Sequence, residues 1–560
     1  AADLILSGGT ILTMEAAQPR AEAIAISGGM IVAVGPKDEV MTHAGANTRH
    51  VDLTGRALLP GFIDAHGHFA NALQVVGWAN VQRPPAGPVT SIASLQQVLR
   101  DHVASHPVAK GEWVIAYGYD VDGLSDGRPL DKADLDAPFP DNPVMVIHNS
   151  NHGAVLNSRA LAIAGYDAST PDPAGGVIVR RPGSTEPAGL VMETAFLPLF
   201  VHMPKPSEED RLAQFEAAQR LYTAKGITTV QDGATVAGDL GLFQRAAQDG
   251  RLRIDLVLLP LVLEVPDMLR ERFPDFHGKP LEMPQQALDA FGTYHDRLKL
   301  QGIKLLVDGS PQGKTAFWGE PLLTPGPNGE ANWRGQPVFP PEQLNASVAE
   351  LSAQGVQLFA HCNGDAAIAM MIEACRKAGL KPEQDHRTVI VHSQFMAPGQ
   401  LEQYVELGIH PSFFTVHAFF FGDTHLANLG PERAGRMSPM ASAMAMGLHC
   451  SNHNDFSVTP IEPMRMTETA MTRRTRTKVV LGESERVSAE AALRALTIEA
   501  AWQIREEDSK GSLAVGKRAD LVILDADPTA TAPEQLNAIT VVATLKDGTC
   551  IDGSLEGDQR

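Results

Sequence analysis

The chain has 560 residues, 44% of them hydrophobic and 20% charged. That is the composition of a globular protein too long for one compact core, so a large domain with a smaller one or a large insertion is expected. With 46 basic against 66 acidic residues the net charge is −20, an acidic surface that argues against nucleic acid or an anionic membrane as partner.

No apolar run approaches the roughly 18–20 residues of a membrane span. The four cysteines, Cys362, Cys375, Cys450 and Cys550, lack the paired spacing of a thiolate zinc site. The sequence starts at Ala1 rather than Met and carries no signal-peptide pattern. A cytoplasmic location and, after removal of a leader, a periplasmic or secreted one are both compatible with it.

In chain order, residues 3–14 (DLILSGGTILTM) and 23–35 (AIAISGGMIVAVG) are short apolar runs broken by Gly-Gly, the pattern of strands joined by tight turns. Residues 519–525 (ADLVILD) and 541–550 (VVATLKDGTC) read the same way near the other end. The expectation is a small β domain, a β-sandwich, from residues 1–56 and 510–560, with a (β/α)8 barrel at 57–509 inserted within it.

The barrel expectation rests on eight apolar runs, at 57–66, 227–231, 254–261, 303–307, 356–361, 388–392, 409–414 and 448–451. Helical periodicity appears between them, at 208–225 and 341–354. Residues 71–204 break the rhythm: they are Pro/Gly-rich with strand-like islands at 113–117 and 144–148, and are expected to be an insertion closing over the active site. Residues 310–336 have no regular pattern and are expected to be a second lid.

Chemistry-bearing residues collect at the ends of these runs. His66 and His68 follow ALLPGFIDAH; residues two apart on a strand project to one side, about 7 Å apart. A His-x-His pair alone has little specificity. However, His361 ends LFAH, His392 ends VIVH, and Asp455 lies just past LHCSN, so metal-competent residues recur at the strand ends where (β/α)8 enzymes keep their chemistry. Lys304 stands alone in the apolar strand GIKLLVDGS. A charged ammonium there is costly. A lysine with a lowered pKa would instead react with CO2, giving a carbamate that could bridge two metal ions. Asp308, past the end of that strand, reads as structural.

These segments resemble a known family. PGFIDAHGH, Lys304, HCNGDAA around His361, VHSQ at His392 and Asp455 are similar to the amidohydrolase superfamily, above all its YtcJ-like branch (amidohydrolase family 3), which includes N-substituted formamide deformylases. The tail AALRALTIEAAWQI with KGSLAVGKRADLVILDADP matches it too, and NHGAVLNSRAL at 151–161 resembles the branch's substrate loop. The resemblance implies a (β/α)8 barrel with a flanking β-sandwich. It also implies His66, His68, a carboxylated Lys304, His361, His392 and Asp455 as ligands, with Asp455 as proton shuttle as well. The sequence departs from the branch at SNHNDFSVTP, where Asn454 precedes the acid and His453 becomes a rival contact.

The expected activity is hydrolysis of an amide-type C–N bond in a small N-acyl or N-formyl amine. One or two divalent ions, zinc foremost with Mn2+, Fe2+ or Ni2+ as alternatives, would serve it, with no Ser or Cys nucleophile. The Ser in GSPQG at 309–313 is not in a nucleophile elbow. Substrate-contact candidates are Trp113, Tyr117, Asp120, His152, Phe317, His417 and His453. No basic cluster lies near the strand ends except Arg180 and Arg181, so a neutral substrate is favoured. A deaminase or other C–X hydrolase, or a barrel that binds without catalysis, are the alternatives. A homodimer is compatible with the sequence.

Overall fold

Strands from the two chain ends share one sheet. Its eight strands run in the order Thr549–Gly553, Val541–Lys546, Leu521–Leu524, Ala57–Pro60, Leu4–Leu12, Arg20–Ser27 and Met30–Gly35, with Arg49–Asp52 beside Leu4–Leu12. These positions come from a computed structural model that describes residues 1–555. Gly28 and Gly29 make the turn before Met30–Gly35 at φ of 58° and 80°, left-handed values that glycine takes without steric cost. Leu6, Ile24, Ile26, Leu58, Leu521, Ile523 and Leu545 form the core of this sheet.

The expected first strand, 57–66, is two strands. Ala57–Pro60 lies antiparallel to Leu521–Leu524 in the terminal sheet, whereas Phe62–Ile63 lies parallel to Ile227–Thr235. The break falls at Gly61, where a Cβ would come within 2.4 Å of the Thr228 hydroxyl. That close approach requires a glycine and lets one apolar run serve two sheets.

Phe62–Ile63, Ile227–Thr235, Asp255–Pro260 and Leu298–Leu300 are successive parallel neighbours in a five-stranded sheet edged by antiparallel Tyr294–His295. Ile303–Leu306, Leu358–Cys362, Val389–His392, His410–Phe413 and Ser451–Asn452 form a second, parallel throughout. A parallel bridge from Leu261 to Lys304 joins the two. Parallel strands covered on both faces read as continuous apolar runs, and Leu256, Leu258, Leu358, Ala360, Val389 and Val391 are all buried. The run 448–451 meets its strand only at Ser451, because Leu448 donates its N–H to Ala443 in the turn that ends helix Met440–Ala445.

The two expected helices are Glu208–Thr223 and Pro341–Ala353. In the first, the Ser207 hydroxyl accepts from the Asp210 N–H at 3.1 Å, and Glu208, Glu209 and Asp210 occupy the first turn. That cap satisfies an otherwise orphan donor, and the acids suit the positive end of the helix dipole. Phe215, Ala218 and Tyr222 on this helix pack with Phe69 and Phe243.

The insertion is more regular than the sequence suggests. Its six-stranded sheet has the order Gly176–Arg180, Pro187–Glu193, Gly153–Leu156, Val144–His148, Val114–Tyr119 and Ala79–Asn80. The islands expected at 113–117 and 144–148 are the strands Val114–Tyr119 and Val144–His148; the others are short or open on Gly or Pro. Between Leu306 and Pro341 no regular helix or strand occurs among the described residues, in keeping with the irregular segment expected there. No helix among the described residues is long and apolar enough to cross a membrane.

Candidate metal centre

His66 and His68 follow Phe62–Ile63, with ring centroids 5.1 Å apart and edge to face. Asp455, past Ser451–Asn452, reaches both: its Oδ1 is 3.3 Å from His66 Nε2 and 3.1 Å from His68 Nε2. One ligand atom from each of the three lies within 4.8 Å of the others. Lys304 Nζ is 3.4 Å from His66 Nε2. His361 Nδ1 is 3.1 Å from His392 Nε2, which is 3.8 Å from Asp455 Oδ2. The structure therefore brings together all six residues expected as ligands. Two of them hold left-handed backbone, His392 at φ 78° and Asp455 at φ 49°. Such conformations cost about 1–3 kcal/mol each and cluster where a side chain must be aimed.

The protonation pattern of this cluster matters. Burial, with Lys304 adding to it, pushes His66 down to about 4, so its ring is neutral at pH 7. Its Nδ1–H donates to Gln231 Oε1 at 3.2 Å, which leaves the Nε2 lone pair facing Asp455. Burial likewise carries His361 and His392 well below the usual imidazole range. His361 Nε2–H donates to the Gly309 carbonyl at 3.0 Å, so its Nδ1 lone pair faces His392. Asp455 Oδ1 is buried and accepts no hydrogen bond. Imidazole lone pairs and a carboxylate oxygen aimed at one another repel. A divalent cation among them removes the repulsion, and nitrogen with carboxylate oxygen is a donor set that zinc and its neighbours accept. These residues fit a divalent metal. Burial also pushes Lys304 down to about 8.

Asp308 has the structural role expected of it. Its carboxylate accepts the N–H groups of Asn363 (2.9 Å), Gly364 (2.8 Å) and Phe317 (2.9 Å), fixing the turn after His361. Among the substrate-contact candidates, His152 borders the centre, its ring 4.9 Å from that of His361 and its Nδ1–H donated to Glu193 Oε2 at 3.0 Å. His453 meets His392, its Nε2 lying 2.9 Å from His392 Nδ1. His417 is one ring further out, stacked on His425 and 4.7 Å from Phe414. Phe317 contributes its backbone N–H to Asp308.

Trp113 and Tyr117 pack on the insertion's own core with Ile115 and Ile147. Asp120 accepts from the Asp122 N–H at 3.0 Å and caps the short turn Val121–Gly123. Among the described residues no hydrogen bond, ion pair or ring contact joins these three to the six. Arg181 is tied to Asp131 and Glu186, and Arg180 to the carbonyls of Asp167, Thr170 and Thr185. Gln231 and Glu193 were not foreseen; each lies in a strand distant in sequence from the histidine it holds.

The sequence matches the amidohydrolase family over residues 49–552. The chain belongs to that family. This amidohydrolase is 30% identical to the protein LONG AFTER FAR-RED 3 of Arabidopsis thaliana, over 98% of this chain and 91% of that one. It is 27% identical to an N-substituted formamide deformylase of Arthrobacter pascens, over 98% and 97%. A solved structure, an uncharacterized metal-dependent hydrolase from Pyrococcus horikoshii OT3, shares its fold with a TM-score of 0.72 at 21% identity, covering 95% of this chain and 99% of that one. The resemblance carried by PGFIDAHGH and the C-terminal tail thus holds at the level of the family, and the chain is an amidohydrolase, a hydrolase acting on C–N bonds.

Proposed function

We propose that this enzyme hydrolyses a small, largely uncharged N-acyl or N-formyl amine. The observation that carries the reading is the convergence of neutral imidazole lone pairs on the Asp455 carboxylate, with the other ring protons of His66 and His361 committed to Gln231 and Gly309. His66, His68, His361, His392 and Asp455 would hold one or two divalent ions, zinc foremost. When bound, a divalent cation supplies Lewis acidity and makes water acidic enough to act as a nucleophile near neutral pH. Asp455 takes the proton of the attacking water on a carboxylate oxygen and returns it to the departing nitrogen, which leaves as a neutral amine. Lys304 carries a carbamate: its neutral Nζ forms a bond to the carbon of CO2, one C=O π bond becomes an anionic oxygen, and Nζ releases a proton.

The parallel strands of the two five-stranded sheets, with antiparallel Tyr294–His295 left out and Leu298–Leu300 continuing into Ile303–Leu306 as one strand, are read as one (β/α)8 barrel, since each runs parallel to the next and His66, His361, His392 and Asp455 stand at or past the same ends of them. The sheet made from both termini is read as a separate small β-sandwich domain, with the boundary at Gly61. A neutral substrate is favoured because Arg180 and Arg181 are engaged elsewhere.

Metal analysis of the purified protein, with a kinetic panel of N-substituted formamides, N-acyl amines and N-acyl amino acids, tests the reading. Bound metal and turnover of the neutral compounds are expected. Full activity in demonstrably metal-free protein defeats the metal chemistry; preference for anionic substrates, lost in Arg181→Ala, defeats the substrate class.

A further inference from the structure

A buried chain of polar side chains runs away from His392. His453 Nε2 lies 2.9 Å from His392 Nδ1, and His453 Nδ1 lies 2.8 Å from Ser412 Oγ. Ser412 Oγ is 2.8 Å from Ser451 Oγ, and Ser451 meets Gln503 Oε1. At the far end Gln503 Nε2 donates to the Ala65 carbonyl at 2.8 Å. His453, Ser412, Ser451 and Gln503 are at most 3% exposed, so solvent protons do not compete for these positions. We propose that Gln503, through Ser451, Ser412 and His453, fixes the tautomer of His392 and is a positioning residue for the metal centre. The proposal rests on the reading of His392 as a ligand.

The polarity of the chain follows from counting protons. The Ala65 carbonyl can only accept, so it holds the Gln503 amide with its NH2 group turned towards Ala65 and its oxygen towards Ser451. The Ser451 hydroxyl is placed to donate to Ser412 Oγ or to Gln503 Oε1; because Gln503 Oε1 can only accept and takes that single proton, the proton between the serines is supplied by Ser412. With its proton spent, Ser412 must accept from His453 Nδ1–H. His453 Nε2 then bears a lone pair and accepts from His392 Nδ1–H. His392 Nε2 is left with its lone pair directed towards His361 Nδ1 and Asp455. The opposite polarity would place the Gln503 oxygen against the Ala65 oxygen and put a proton on His392 Nε2, where it would block a cation. A ligating histidine is oriented by what its other nitrogen bonds, and loss of such a partner weakens metal affinity by about 10–100-fold. Here the partner is another imidazole, able to accept or donate, so the choice is handed on until an amide held by a backbone carbonyl makes it.

The test uses Ser412→Ala and Gln503→Leu, which cut the chain at two side chains that make no hydrogen bond to a proposed ligand's side chain, with Ser412→Thr as the conservative control that keeps a hydroxyl. Zinc affinity is read by chelator competition, and the His392 ring nitrogens by 15N NMR of metal-free protein, assigned with His392→Gln; thermal unfolding confirms that each variant is folded. Expected are affinity losses of about 10–100-fold in Ser412→Ala and Gln503→Leu and little change in Ser412→Thr. Wild-type protein should show an unprotonated His392 Nε2, and the two cut variants a mixture of tautomers. Wild-type affinity and an unchanged nitrogen pattern in both cut variants overturn the proposal. Failure of wild-type protein to bind zinc would instead overturn the metal reading, while the nitrogen spectrum would still decide the relay.

Discussion

Asp455 and His66 are joined twice: the Asp455 N–H donates to the His66 carbonyl at 3.2 Å, and Asp455 Oδ1 stands 3.3 Å from His66 Nε2. The backbone link ties the turn after Ser451–Asn452 to the one after Phe62–Ile63 whatever side chain follows. Asp455→Asn should therefore fold and keep most of its metal while kcat falls by about 10²–10⁴, the range for loss of a general acid–base. Steady-state kinetics beside metal content measure this. Near-wild-type turnover in Asp455→Asn, with collapse in His453→Ala, would move the proton shuttle to His453.

Chelation should abolish activity and also soften the fold, because it restores the repulsion among His66, His361, His392 and Asp455. A ligand at a hundred times its Kd adds about 2.7 kcal/mol of stability. The melting temperature should rise with zinc concentration accordingly. A melting curve indifferent to zinc and chelator would contradict a cation at these residues.

Lys304 gives a pH dependence. Burial lowers its amine to about 8, so in metal-free protein the neutral form that adds CO2 grows as pH rises through that value. At constant dissolved CO2, carbamate formation followed by 13C NMR should rise steeply with pH up to about 8, where two protons are lost per carbamate, and less steeply above it, where only one is lost. The same depression makes the metal-free fold more stable as pH rises from about 8 towards the ordinary lysine value of 10.5, since there the unfolded chain binds the extra proton. Lys304→Ala should remove the CO2 signal and weaken metal binding. A flat profile between pH 7 and 9, or a signal that survives Lys304→Ala, would place the reaction elsewhere.

Asp255 is the stability test. Its Oδ2 takes Lys510 at 2.6 Å and Lys546 at 2.7 Å, and all three are buried. Asp255→Asn leaves two ammonium groups short of a counter-charge and should cost about 3–5 kcal/mol. Glu373→Gln, which breaks the exposed pair with Arg376, should cost less than about 1 kcal/mol. Burial pushes the Asp255 carboxyl up, but Lys510 and Lys546 outweigh it and hold it below the ordinary 3.8. Its stabilisation is therefore present above that value and fades only as pH falls below it. Denaturant unfolding of both variants decides; equal losses would mean that the buried cluster contributes no more than a surface pair.

Much of the centre was legible because His66, Lys304, His361, His392 and Asp455 each follow or interrupt an apolar run, and parallel strands buried on both faces leave such runs unbroken. The supports were not. Gln231 is one polar residue in a strand, Glu193 ends a strand that opens on Pro187, and nothing local ties either to a histidine. Trp113 and Tyr117 drew attention as aromatics near an expected lid, yet an aromatic on a strand packs beneath it as readily as it faces a ligand, and theirs is the insertion's core. The division of 57–66 escaped for a different reason. Gly61 interrupts neither the hydrophobicity nor the length of the run, and only the nearness of Thr228 reveals the turn.

The sheet shared by both chain ends has a consequence for how the molecule is made. Ala57–Pro60 waits for Leu521–Leu524, and Asp255 waits for Lys510 and Lys546, so elements made early in synthesis lack these partners until residues 510–546 have emerged from the ribosome. The parallel strands from Phe62–Ile63 to Ser451–Asn452 emerge in order and can pair as they appear. The shared sheet cannot close until residues 521–546 have emerged, which leaves a nascent chain with an open apolar edge at Ala57–Pro60 and with Asp255 short of its two buried lysines until then.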